Sequence, residues 1–152
     1  MPVGIDAKQD KDGIRTSQKA VEALIEQEVV RGIAPGNIFL AGFSQGGAIA
    51  LQTAIRQAVP LGGVLALSTY LPLAENAPLE AATASRKTPI FMAHGRNDPV
   101  VPLALGTASK DMLQGLGYEV EWHEYYMPHS LCLEEVRDIE SWLSRQIKTP
   151  NK

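Results

Sequence analysis

Three residues far apart in the chain have the types that together turn a serine into a nucleophile. They are Ser44 within Gly42-Phe43-Ser44-Gln45-Gly46, Asp98 within Gly95-Arg96-Asn97-Asp98-Pro99, and His129 within Met127-Pro128-His129-Ser130. A serine hydroxyl is essentially never ionised near neutrality, so its attack on a carbonyl carbon needs a base that takes the proton. An imidazole does this near neutral pH, and a carboxylate behind it fixes the tautomer and stabilises the imidazolium that forms. The order Ser, Asp, His is the one used where the serine sits on a sharp strand-to-helix turn.

That turn is legible around Ser44. Residues 38–41 are an apolar strand, Ile-Phe-Leu-Ala, that breaks into glycines and then continues as a helix from Gln45. A strand that reverses into a helix within two residues crowds its own backbone, so Gly42 and Gly46 are expected where a Cβ would collide with the crossing chain. Ser44 is expected at positive φ with Oγ pointing outward. The amide of Gln45, at the start of the helix, then faces the same space as an oxyanion donor. The competing reading is a glycine-rich turn that only permits close packing or holds an anion.

The remaining chemistry-bearing residues are weaker candidates. His94 stands at a strand end, where it could hydrogen-bond within the Asp98 loop, and His123 lies inside an alternating strand, where a surface imidazole is the plain reading. Only His129 completes the order. Cys132 lies near His129, but between Leu131 and Leu133 it reads as a buried structural thiol. The histidines lack the paired spacings of a zinc site, so no metal is expected, and the serine chemistry calls for no cofactor.

These residues need elements to hold them. A polar arm over residues 1–12 precedes a helix over 13–31, with Ile14, Val21, Leu24, Ile25 and Val29 at helical spacing and Asp12 as its cap. After the elbow, a helix over 45–57 leads to Val64-Leu65-Ala66-Leu67, a continuously apolar run of the kind found in parallel strands covered on both faces. Beyond its carboxyl end lies Ser68-Thr69-Tyr70-Leu71-Pro72, where Leu71 is placed either to touch an apolar substrate group or to fill the core. Residues 74–87 are too few for a large lid. A strand over 89–94 carries the Asp98 loop, and a helix over 103–116, with Ala108, Met112 and Leu113 inward, stops at Gly117. Residues 119–125 alternate like a half-exposed edge strand. The last helix, 133–147, packs through Val136, Ile139, Trp142 and Leu143, and the tail 149–152 is expected to fray. The sum is one α/β domain over residues 1–152, with about four mostly parallel strands and flanking helices.

Composition agrees with this and excludes other classes. With 152 residues, 45% hydrophobic and 20% charged, the chain can bury a core. A net charge of -3 and the lack of a basic cluster argue against nucleic acid. No apolar run approaches the roughly 20 residues of a membrane span. The single cysteine and the polar first 13 residues point to a reducing cytoplasm.

Four ordered motifs carry a resemblance to a known family: Gly42-Phe43-Ser44-Gln45-Gly46-Gly47, Leu67-Ser68-Thr69-Tyr70-Leu71-Pro72, His94-Gly95-x-x-Asp98-x-x-Val101 and Tyr126-Met127-Pro128-His129-Ser130. Over residues 12–147 the chain resembles the phospholipase/carboxylesterase family of α/β-hydrolases, which includes bacterial carboxylesterases and acyl-protein thioesterases. The resemblance implies Ser44, Asp98 and His129 as triad, Gln45 as oxyanion donor, Leu71 on the acyl groove, and short or medium acyl esters, with thioesters in range, as small-molecule substrates. Members of that family begin with further strands and a His-Gly-x-Gly loop that supplies a second oxyanion amide; here the one His-Gly, His94-Gly95, belongs to the Asp98 loop. The chain therefore resembles a truncated member, with the strand at 38–41 as a bare sheet edge. Two expectations follow: a homo-oligomer paired through that edge or else a marginally stable, aggregation-prone chain, and a choice between an esterase and an impaired domain that serves only binding or assembly.

Overall fold

Asp10 starts the first helix. Its Oδ1 accepts from the Gly13 amide at 2.9 Å, one of the first-turn N–H groups that no helix can satisfy internally. The cap is therefore Asp10 rather than Asp12, and α1 runs Lys11–Val30. The computed structural model describes residues 10–147; the rest of the expected polar arm and the expected fraying tail lie outside them. After α1 come β1 (Phe39–Phe43), α2 (Gln45–Ala54), β2 (Gly63–Leu67), α3 (Ala77–Glu80) between two 3-10 turns, β3 (Ile90–Gly95), α4 (Leu103–Gly115), β4 (Val120–Tyr125) and α5 (Leu133–Ile147).

The four strands form one sheet in the order β1-β2-β3-β4, and every pairing is parallel. Both faces are covered, which is why β2 and β3 are apolar at consecutive positions. On one face Val64, Ala66, Ile90 and Met92 pack with Ile25 of α1, Leu51 of α2 and Leu113 of α4. On the other, Leu65, Phe91 and Ala93 pack with Tyr125, Met127 and Trp142 of α5. Gly117, at φ 102°, ends α4 as expected.

Some residues expected inward are not. Leu24 is 59% exposed and Val136 49%, Val29 is also exposed, and so is Ala108, whose place on the buried face of α4 is taken by Ser109. Helical spacing gives a stripe, and which end of the stripe is covered depends on what packs there. β4 is an edge strand, but it does not alternate: residues 120–124 are all half-buried. Among the described residues, no helix is long and apolar enough to cross a membrane.

Candidate active site

The parallel sheet delivers all three predicted residues to the carboxyl ends of its strands, the place where open α/β sheets bind ligands. Ser44 follows β1, Asp98 follows β3 and His129 follows β4. Nδ1 of His129 lies 2.7 Å from Asp98 Oδ2, and its Nε2 lies 3.0 Å from Ser44 Oγ. A carboxylate only accepts, so Nδ1 carries the proton and donates it to Asp98. The Nε2 lone pair is left to receive the Ser44 hydroxyl. The Asp98 side chain is buried and that of His129 is 16% exposed.

The elbow is built as its glycines require, with one difference. Ser44 has φ 58° and ψ -121°, a strained conformation for a residue with a Cβ. A Cβ on Gly42 would fall onto the carbonyl of Gly46, and a Cβ on Gly47 would come within 2.8 Å of Gly42 O and of the Thr69 methyl. Gly46 itself has nothing within 4 Å of that position. The crowded pair is thus Gly42 and Gly47, while Gly46 faces open space. Gln45 is the first residue of α2, so its amide has no partner inside the helix and is presented beside Ser44.

Gly95 explains how two loops meet. A Cβ there would strike the carbonyls of Met127 and Pro128, so only glycine lets the His129 loop close on the Asp98 loop. The Arg96 amide bonds Tyr125 O at 2.8 Å and the Asn97 amide bonds Met127 O at 3.1 Å, tying the loops together. The exposed ring of Phe43 lies against the His129 ring, with centroids 4.7 Å apart. Oδ1 of Asp98 accepts from the amides of Val100 and Val101, each at 2.8 Å.

Leu71 does not join this constellation. It is 3% exposed and sits in the core cluster with Leu51 and Ile55, its amide bonded by Ser109 Oγ at 2.8 Å. Of the two readings open for it, the structure gives the core. Sequence reasoning passed over Thr69, whose Oγ1 donates to Ser44 O at 2.6 Å and so braces the elbow. The available signal was a hydroxyl just past the strand that neighbours the elbow. Cys132 is half-buried and unpaired in a disulfide. Among the described residues, no group of three or more His, Cys, Asp or Glu side chains could hold a metal ion.

Comparison with known proteins places this geometry. The phospholipase/carboxylesterase family model matches residues 3–147. Acyl-protein thioesterase 1 of Gibberella zeae is 42% identical over 146 residues, covering 94% of this chain and 62% of that protein. A probable carboxylesterase of Oryza sativa subsp. japonica is 36% identical over 149 residues, covering 97% of this chain and 56% of the relative. The chain thus spans about three fifths of the length of these relatives. The crystal structure of Arabidopsis thaliana SOBER1 superposes with a TM-score of 0.90 at 32% identity, covering 95% of this chain and 70% of that one. Neighbouring structures of this kind share the α/β-hydrolase fold, and the ordered motifs, the parallel sheet and the match over nearly the whole chain agree: the protein belongs to the phospholipase/carboxylesterase family.

Proposed function

We propose that this chain is a serine hydrolase of carboxylic esters with short or medium acyl chains, and of thioesters of the same acids, working through an acyl-enzyme on Ser44. The observation that carries the reading is the continuous relay from Asp98 through His129 to Ser44, at 2.7 and 3.0 Å, on a positive-φ elbow. His129 Nε2 takes the Ser44 proton as Oγ attacks the carbonyl carbon, and the resulting oxyanion is met by the Gln45 amide. Collapse expels the alcohol or thiol, which leaves with the proton held on His129, and a water activated by the same imidazole releases the acid. These steps draw only on the triad, one backbone amide and water. Relatives called acyl-protein thioesterase and carboxylesterase support an acyl substrate.

Fluorophosphonate labelling followed by intact mass tests the reading. One adduct on the parent chain and none on Ser44→Ala is expected; a folded parent that takes no adduct overturns it and leaves a binding or assembly domain.

The same reading includes a partner at β1. Ser44 N bonds Leu67 O and Ile38 O accepts from Gly62, so the strand's even-numbered residues turn toward β2. Phe39, Ala41 and Phe43 turn their amides and carbonyls the other way, where the sheet order places no strand among the described residues. The segment Phe39-Leu40-Ala41-Gly42-Phe43 carries no charge. Antiparallel pairing of two copies about Ala41 sets Phe39 of one opposite Phe43 of the other, an aromatic cross-strand pair.

A further inference from the structure

We infer that His94 is a positioning residue of the triad, the anchor that aims the Asp98 carboxylate at His129; the inference rests on the serine-hydrolase reading above. His94 is the penultimate residue of β3 and is 1% exposed. Its Nε2 lies 2.8 Å from Val101 O, and because a carbonyl only accepts, Nε2 carries a proton and donates it. Val101 is thereby held at both ends: its carbonyl by His94, and its amide by Asp98 Oδ1 at 2.8 Å. The acid's own loop is the splint that sets its carboxylate, and His94 bolts that splint to the strand. The second carboxylate oxygen, Oδ2, is the one that receives His129 Nδ1, and it lies 3.7 Å from His94 Nε2. That separation is too long for a hydrogen bond, so His94 acts on the acid through Val101 rather than by sharing its proton.

The ring has no room to choose another partner. Trp122 stacks beside it with centroids 6.1 Å apart and planes 21° from parallel. Gly106 of α4 packs so closely that a Cβ there would come within 2.6 Å of Nδ1. A histidine kept only as filler would need neither the aimed N–H nor a glycine on the helix opposite. The requirement is a donor at the Nε2 position, and that is a statement about side-chain reach.

Reach is what the test varies. The amide nitrogen of Gln extends about as far as Nε2, that of Asn stops about where Nδ1 lies, and Met fills the space without a donor. His94→Gln, His94→Asn and His94→Met are compared with the parent by steady-state hydrolysis of p-nitrophenyl butyrate and by the low-field NMR resonance of the His129 Nδ1 proton. A carboxylate displaced by the order of 1 Å costs about 10- to 100-fold in rate. His94→Asn and His94→Met are therefore expected to lose kcat by that factor with KM little changed, and to lose or shift the resonance. His94→Gln is expected to keep most of both. A folded His94→Met with the parent's kcat and resonance, or a Gln variant no better than Asn, overturns the inference, as does the unfolding of all three. A parent that neither hydrolyses ester nor takes the phosphonate refutes the hydrolase reading instead, while the resonance series still decides whether His94 aims Asp98.

Discussion

The two outer strands of the sheet are built on opposite plans. β4 reads Val-Glu-Trp-His-Glu-Tyr, and its side chains are engaged: Glu121 meets His123 at 2.8 Å and Arg145 at 2.6 Å, while Glu124 accepts from Trp122 Nε1 at 2.8 Å and from Arg96 at 3.0 Å. The Trp122 indole N–H, helped by Arg96, holds the Glu124 carboxyl below the usual carboxylate range. β1 reads Phe-Leu-Ala-Gly-Phe and offers only apolar side chains and turned-out backbone groups. Charged side chains are how sheets normally discourage pairing at an edge. β4 is composed as an outside strand and β1 as an inside one. On the proposed hydrolase reading the nucleophile hangs from β1 and the base follows β4, so that reading needs both edges, while only the β4 side is finished within the described residues.

The largest effect joins the two sides. Ser44→Ala and His129→Ala are expected to lower p-nitrophenyl acetate hydrolysis by about 10⁶-fold, and Asp98→Asn, which keeps the shape but presents the wrong tautomer to His129, by about 10⁴-fold. Circular dichroism should show each variant folded. Parent-rate hydrolysis by folded Ser44→Ala would remove the assignment.

Next comes the contrast itself. If β1 pairs with a second copy, Ala41→Lys, which sets a charge in the middle of that edge, should halve the particle mass seen by light scattering. A parent chain that is already monomeric and unfolds cooperatively would show that β1 stays bare despite its composition.

How much of this was readable beforehand follows the same division. The triad, the elbow and the order of elements were legible because each rests on local rules: glycines where backbones cross, an apolar run for a strand covered on both faces, Gly117 to stop a helix. The start of α1 was misplaced by two residues because Asp10 and Asp12 are equally good caps on paper, and only the Gly13 amide distinguishes them. Leu71 remained ambiguous because a leucine past a strand end is core or groove according to which helix lies over it. Here its neighbours Leu51 and Ile55 belong to the segment of α2 and its carboxyl end. Gly47 outranks Gly46 as the crowded glycine because the helix packs on Thr69, a contact between elements 22 residues apart. What no local rule supplied was the Thr69 brace on Ser44 O, which exists only once neighbouring strands are in register, whereas the bond of His94 to Val101 O stays within the Asp98 loop, where the sequence allowed it.

Thr69 allows a smaller test on the β1 side. Thr69→Val keeps the shape and removes the hydroxyl that donates to Ser44 O, so the strained elbow loses one of the two groups on that carbonyl and keeps the Ala48 amide at 3.1 Å. A roughly 10-fold fall in kcat is expected, consistent with the loss of about 1 to 1.5 kcal/mol from one neutral hydrogen bond. Thr69→Ser should recover most of it. Equal rates in Thr69→Val and the parent would show that the glycines alone hold the turn.

The smallest effect lies on the finished side, at Glu135, three residues into α5 and fully buried. Burial raises its carboxyl above its ordinary value; the Cys132 amide lies near enough to oppose this in part but does not reach hydrogen-bond geometry, so neither oxygen has a hydrogen-bond partner among the described residues. A group whose pKa is higher in the folded chain binds its proton more tightly there. Its stabilising contribution is therefore complete below the unfolded value, about 4.3, and is lost as the pH rises through the folded one. Glu135→Gln cannot ionise and should keep that contribution at every pH. The variant is expected to match the parent near pH 4 and to exceed it at pH 8 by about 1 kcal/mol, roughly 3 °C in thermal midpoint. The opposite sign at pH 8 would mean that the ionised carboxylate is held by the first-turn amides of α5, as a helix N-terminus favours. In that case the helix that follows His129 would be capped by a charge rather than weakened by one.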